Sequence, residues 1–168
     1  LVVGHTRSSI YLSSFITGII AVSIIYLAGL LTGGVIGAVS NAIPATGIGQ
    51  LAFAGVIGWL ACISYAAIFN LIGMLSTSKA KTSVLSILTA FILVFFGLTC
   101  YSLARPGLLS ASKAAIFQFL FDFNPYGQTF QLLSVDIASL WKLAVYALLL
   151  ISILTGVGLY VFRKKDLK

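Results

Sequence analysis

The most constraining feature of this sequence is a long stretch without charge: no Asp, Glu, Lys or Arg occurs between Arg7 and Lys79. The stretch is instead rich in Ile, Leu, Ala, Gly and Phe. One helical crossing of a hydrocarbon core about 30 Å thick needs roughly 20 mostly apolar residues. The stretch is therefore long enough to cross a bilayer, turn and cross back. It predicts a polytopic helical membrane protein.

Four apolar segments have the length that a single crossing requires. They cover residues 10–31, 51–75, 84–104 and 143–162. Their flanks carry aromatic and basic residues, such as Trp141 and Lys142, which are typical of anchoring at the membrane interface. We expect an all-α fold in which residues 1–168 form a single transmembrane domain embedded in the lipid bilayer.

The distribution of charge predicts the orientation of these crossings. Four crossings place both chain ends and the loop 76–82 on one side of the membrane. Seven basic residues belong to that side: Arg7, Lys79, Lys81, Arg163, Lys164, Lys165 and Lys168. Three belong to the other: Arg105, Lys113 and Lys142. Because cytoplasmic loops carry excess Lys and Arg, we expect both ends in the cytoplasm and no nucleic-acid partner, despite the net charge of +7.

Residues 105–140 predict an outer region that folds back into the membrane. Its Phe-rich part, from Lys113 to Phe123, is too short to cross, so a pair of short re-entrant or interfacial helices fits better. The candidate gate residues here are Phe117, Phe121, Asp122, Asn124 and Pro125. The sequence leaves two interpretations open, a substrate gate or packing against protein and lipid. We expect Asp122 and Asp136 to face water.

The inventory of reactive side chains argues against catalysis. The sequence has no Glu, its single His is His5, and its three acids are Asp122, Asp136 and Asp166. A catalytic zinc site needs three protein ligands, and the Gly-rich phosphate-binding motif that ends in Lys-Ser/Thr is absent. We therefore expect no enzyme activity, no metal and no cofactor on this chain. The spans also lack the ionisable residues that ion-coupled transport uses, so energy would come from a partner.

Small residues predict close helix packing. Gly29, Gly33 and Gly37 recur at four-residue spacing, and small residues let membrane helices approach closely. The alternative, a general abundance of Gly in membrane helices, stays open.

The two ends of the sequence resemble a known family. The segment Gly4-His5-Thr6-Arg7-Ser8-Ser9-Ile10-Tyr11-Leu12 resembles the region ahead of the third membrane helix in type-2 permeases of ATP-binding-cassette exporters. It is most similar to bacterial peptide-antibiotic resistance and lantibiotic-immunity permeases, although Ser14 stands where these often carry Lys. The tail from Tyr160 to Lys168 resembles the family's ending, an aromatic helix exit followed by basic residues. The long Phe-rich excursion before the last helix also agrees.

The resemblance implies a permease subunit in the bacterial plasma membrane. The four spans would be the third to sixth helices of six, and a start at Leu1 agrees with a piece of a longer protein. A coupling segment would fall on about residues 3–13. Its apolar Ile10 and Tyr11 would dock on an ATP-binding-cassette ATPase, with Arg7 and Ser8 at the rim.

The same resemblance implies the partners and the cargo. ATP and Mg would bind to the partner ATPase, and a second permease subunit, identical or not, would complete a dimer. The apolar spans suit an amphipathic or peptide-like substrate. A different class, a non-transporting membrane scaffold or assembly subunit that binds partner helices, also fits the residues. A channel fits less well, because no ring-forming polar motif is apparent.

Overall fold

The computed structural model describes residues 7–39, 48–76, 78–132 and 140–164. Its helices are α1 (Arg7–Val39), α2 (Ile48–Leu75), α3 (Lys79–Leu103), α4 (Ala111–Phe123), α5 (Pro125–Gln131) and α6 (Leu140–Lys164). Within these ranges the only extended pairing is an isolated bridge between Pro106 and Leu109. The predicted all-α fold is confirmed.

Four of the helices are long and apolar enough to cross a membrane. The segments with the required length and apolar character are Ser8–Gly37, Leu51–Leu75, Lys79–Leu103 and Trp141–Lys164. The four predicted spans are therefore confirmed, and the chain is a membrane-embedded protein. Each predicted span lies on one of these helices, with boundaries that differ by a few residues except at the end of α1.

Helix α1 extends past residue 31, where the first predicted span ends. α1 continues through Gly33, Gly34 and Gly37 to Val39. Glycine weakens a helix in water by about 1 kcal/mol relative to alanine. In an apolar environment, however, a backbone without water must satisfy its own hydrogen bonds, which favours the helix.

The long helices alternate in direction. α1 and α2 are antiparallel, because Ser14 bonds to Asn70 near the start of α1 and Trp59 bonds to Ser23 farther along it. α2 and α6 run in the same direction, with Ile57 packed on Leu143. This alternation agrees with four successive crossings.

Helix α2 lies at the centre and packs on α6 through small residues. Ala61, Ser64 and Ala67 on α2 are buried, as is Ala147 on α6. The Ser64 hydroxyl donates to the carbonyl of Leu60 in its own helix at 3.1 Å and lies 3.5 Å from the carbonyl of Ala147. Small side chains let two membrane helices approach closely, and α2 and α6 share the most extensive contact among the described helices.

Candidate functional site

The predicted coupling and gate residues fall in two regions at opposite ends of the long helices. The first, here named the basic junction, joins the start of α1 to the ends of α2 and α6. It consists of Ser8, Tyr11, Ser14, Asn70, Gly158, Phe162 and Arg163. The second, the re-entrant hairpin, consists of α4 and α5 joined at Asn124.

Tyr11 is the central residue of the basic junction. Its side chain is only 1% exposed, and its ring packs against Phe162 of α6 with centroids 6.0 Å apart. Its hydroxyl end lies directly on Gly158, where an added Cβ would overlap the phenol and lie 2.8 Å from Tyr11 Cε2. Gly158 therefore forms a notch that admits the tyrosine, and only the absence of a side chain there permits this approach.

Asn70 connects the junction to α2. The Ser14 hydroxyl donates to Asn70 Oδ1 at 2.8 Å, and the Tyr11 side chain lies within interacting range of the same amide. The Asn70 Nδ2 is enclosed without a well-aligned acceptor. Interhelical hydrogen bonds between polar side chains in a membrane are worth roughly 0.6–2 kcal/mol. The amide thus fastens α1 to α2 at a fixed register.

The outermost tie of the junction joins the two ends of the described chain. Arg163 Nε donates to Ser8 Oγ at 2.8 Å, between exposed groups. The ammonium of the next residue, Lys164, lies 4.4 Å above the ring of Tyr160, one turn earlier on α6, and donates to its hydroxyl at 2.6 Å. Residues 7–12 and 160–164, the described parts of the two segments that carry the family resemblance, therefore lie side by side.

The predicted coupling residues take different positions. Tyr11 faces the interior of this chain, whereas Ser8 and Ile10 are partly exposed. The Arg7 side chain and residues 1–6 lie outside the described structure. From residue 7 onward the predicted coupling segment is the first part of α1 itself, continuous with the span. Docking of these residues on an ATPase stays a prediction.

Sequence reasoning missed Asn70 and Phe162, and it named Gly158 only together with Gly156 as a small packing face. A signal existed for Asn70, because it is the only carboxamide in the apolar segment 51–75. No comparable signal separates Gly158 from the nearby Gly156, where an added Cβ would meet nothing within 4 Å.

The tip of the re-entrant hairpin is fixed by Asn124. Its Oδ1 accepts a hydrogen bond from the Tyr126 backbone N–H at 2.9 Å, which caps α5, and Pro125 occupies the first turn. Its Nδ2 donates to the Leu93 carbonyl of α3 at 2.9 Å. Leu93 precedes the end of α3 by ten residues, or about 15 Å of helix. The hairpin thus runs back alongside α3, and its re-entry into the membrane stays a prediction.

Close glycine contacts let the hairpin pack tightly. An added Cβ at Gly97 of α3 would lie 2.7 Å from Tyr126 Cδ1, and one at Gly127 would overlap the backbone carbonyl of Phe121. Phe121 is 1% exposed and packs on Tyr101 at 5.3 Å. Non-helical backbone at membrane depth is tolerated when protein buries it, and these contacts bury the break at Asn124.

Asp122 anchors a polar network inside the hairpin. Its Oδ1 accepts from Gln118 Nε2 at 2.6 Å and from Gln131 Nε2 at 3.0 Å. Its backbone carbonyl accepts from Gln128 Nε2 at 3.2 Å, and Gln128 is fully buried. Burial raises the pKa of the Asp122 carboxyl, while the two glutamine bonds and the charge of Lys142 act in the opposite direction. Asp122 is thus partly exposed and partly covered by its own helix pair, so its exposure to water stays a prediction, and Asp136 lies outside the described residues.

The candidate gate residues thus form the packed interior of the hairpin. Pro125 and Phe121 are fully buried, Asn124 is 5% exposed, and Phe117 is partly exposed. A gating role for them stays a prediction. Across residues 7–39, 48–76, 78–132 and 140–164, no three His, Cys, Asp or Glu side chains gather as metal ligands would.

An apolar groove of about 490 Å³ lies between α1 and α2. Aromatic side chains of Tyr26, Tyr65 and Phe69 line it, together with Cys62 and Gly29. Its volume falls in the range of small-molecule sites. The Tyr26 hydroxyl is already occupied by a bond to the Gly55 carbonyl at 2.7 Å, so the groove offers mainly apolar contacts.

The chain matches no protein-family model, and neither a curated protein nor a solved structure is significantly similar to it.

Proposed function

We propose that this chain is the membrane-spanning permease subunit of a bacterial ATP-driven exporter. One observation carries the proposal: the two segments that resemble type-2 permeases meet at the basic junction, through Ser8 with Arg163 and Tyr11 with Phe162. Segments far apart in sequence that carry one family's features and also share one surface support a single docking region for an ATPase. ATP and Mg would bind to that partner.

The junction offers a physical route for coupling. α1 begins at Arg7 as one continuous helix, so a displacement at its start moves the whole span. Tyr11 in the Gly158 notch and Ser14 on Asn70 attach that start to α6 and α2. A push from the ATPase would therefore reach three of the four spans together. The orientation follows from the charges, with the basic junction in the cytoplasm.

The substrate path would lie on the outer surfaces of the bundle. The groove of Tyr26, Tyr65 and Phe69 is apolar and large enough for part of an amphipathic or peptide-like cargo. A second permease subunit would close it from the other side. The re-entrant hairpin, packed against α2 and α3, would close the outer end of the path.

Co-purification of the full-length protein from its native membrane in mild detergent tests the proposal. We expect an ATP-hydrolysing partner to elute with the wild type. Arg7→Glu should lower the recovered ATPase and the resistance of the host to peptide antibiotics, without lowering the amount of protein in the membrane. Lys113→Glu reverses a charge near the start of α4, in the re-entrant hairpin at the other end of the long helices. It should leave both the recovered ATPase and the antibiotic resistance unchanged. A monodisperse protein without nucleotide hydrolysis would overturn the proposal.

A membrane scaffold is the second candidate, and one observation favours it. Gly29 and Gly33 have nothing within 4 Å of an added Cβ, and the surrounding Leu31 and Val35 are 71% and 64% exposed. Among the described residues nothing therefore packs on the Cβ positions of Gly29 and Gly33, and close packing there would need a partner helix. Unchanged antibiotic resistance in Arg7→Glu, together with loss of a membrane partner in Gly33→Leu, would favour the scaffold.

A further inference from the structure

Two apolar grooves meet at the start of α3. The first, about 440 Å³, lies between the end of α2 and α3 and is lined by Leu71, Leu75, Lys81, Leu85 and Thr89, among others. The second, about 400 Å³, is lined by Ala80, Lys81, Val84 and Leu85. Lys81 and Leu85, one helical turn apart, belong to both. They form a ridge with a groove on each side.

The ridge carries a positive charge at the end where α3 begins. Lys79 and Lys81 are both exposed. The backbone around them is fixed, since Ser78 Oγ accepts from the Lys81 N–H at 3.3 Å and Thr82 Oγ1 donates to the Ser78 carbonyl at 3.1 Å. Among the described residues the single acidic side chain is Asp122, and it lies in the re-entrant hairpin. No described carboxylate therefore neutralises the two lysines.

We infer that this ridge binds one anionic phospholipid, with its phosphate at Lys81 and one acyl chain in each flanking groove. The charge pattern favours an anionic head group, because a lysine ammonium is a common phosphate ligand and two lysines lie within three residues. The apolar grooves favour acyl chains. The lysine stem can lie along apolar surface while its ammonium reaches the head-group layer. The site is equally compatible with an exporter and with a scaffold.

The inference is distinct from a general attraction of basic loops to lipid. A diffuse attraction depends on the number of charges near the surface and does not involve the walls at Val84 and Leu85. A bound lipid depends on both the Lys81 charge and the open groove. Charge variants and groove variants therefore separate the two cases.

The test uses the purified full-length protein in nanodiscs of phosphatidylcholine with or without phosphatidylglycerol. Native mass spectrometry then counts the lipids that stay bound when the protein is released from the nanodisc. We expect one phosphatidylglycerol to be retained preferentially. Lys81→Gln should weaken this retention about fivefold, the effect of removing one lysine near a charged surface. Lys81→Arg keeps the charge and should preserve the retention of phosphatidylglycerol. That result would show that the weaker retention in Lys81→Gln does not come from a folding defect.

Two further variants test the groove and the position. Val84→Trp fills the second groove without changing charge and should also weaken retention, whereas Ile92→Trp places the same side chain at an exposed position of α3 outside both grooves and should not. Lys113→Gln removes a lysine from α4 at the other end and should have no effect. Equal retention of both lipids, or equal losses from Lys81→Gln and Lys113→Gln, would overturn the inference. Capture of a protein partner through Lys81 without selective lipid retention would overturn it as well.

Discussion

The notch at Gly158 gives the sharpest test of the basic junction. A methyl group at this position would overlap the hydroxyl and ring of Tyr11. Tyr11 has little room to move, since it is 1% exposed and packs on Phe162. Forcing extra atoms into a well-packed interior typically costs about 1–3 kcal/mol. Gly158→Ala should therefore lower the free energy of unfolding by that amount relative to a matched control.

Gly156→Ala is that control. It lies two residues away on α6, and its added methyl meets nothing within 4 Å. Both substitutions gain the same helix propensity, at most about 1 kcal/mol, so their difference isolates the overlap with Tyr11. Reversible unfolding in mixed micelles, followed by helical circular dichroism, measures it. The difference in unfolding free energy between the two variants should be smaller in a Tyr11→Phe background. This change removes the hydroxyl oxygen, which is the atom nearest to the added methyl. Equal stability of Gly158→Ala and Gly156→Ala would refute the notch.

Three further changes test the remaining contacts. Ser14→Ala should cost about 0.6–2 kcal/mol of unfolding free energy through the lost bond to Asn70, while Ser13→Ala, whose hydroxyl bonds only within α1 at 3.0 Å, should cost less; equal losses would contradict the tie. Asn124→Ala should speed hydrogen exchange of the first amides of α5, because losing such a cap costs about 1 kcal/mol; unchanged exchange would show that the cap is dispensable. Burial raises the pKa of Asp122 in the folded chain above its ordinary 3.8, so the folded state holds more protons and stability should fall as pH rises from 3.8 towards the folded pKa; the Asp122→Asn variant, titrated in parallel, should lack this slope.

The number of crossings could be predicted from the sequence because charge has a high cost in hydrocarbon. The uncharged run from Ser8 to Ser78 and the basic residues that follow it mark where the chain leaves the apolar layer. The hairpin was predictable for a similar reason. Its Phe-rich part is too short to cross, and Asn124-Pro125 marks the break at which α5 begins.

The packing of the spans could not be predicted in this way. A helix that is apolar all round gives no pattern that distinguishes the face turned to protein from the face turned to lipid. The sequence therefore predicted that Tyr11 is a surface residue that docks on an ATPase, although it fills a notch on α6. Gly29 read as a packing residue, although its Cβ position is open. The neighbour of Tyr11 comes from a distant part of the chain, and no described atom lies within 4 Å of a Cβ at Gly29.

Different forces insert the helices and arrange them, which explains why the crossings could be predicted and the packing could not. Between membrane helices there is little hydrophobic driving force, because lipid tails are as apolar as leucine, and association depends on close packing and polar contacts. In this bundle such contacts lie at particular places, among them Ser14 with Asn70, Tyr11 in the Gly158 notch, Trp59 with Ser23, the small residues between α2 and α6, and Asn124 on α3. The many exposed Leu, Ile and Phe residues determine that the chain enters the membrane, whereas these few residues determine how its helices are arranged. Substitutions that alter the arrangement without preventing insertion should therefore concentrate at these positions.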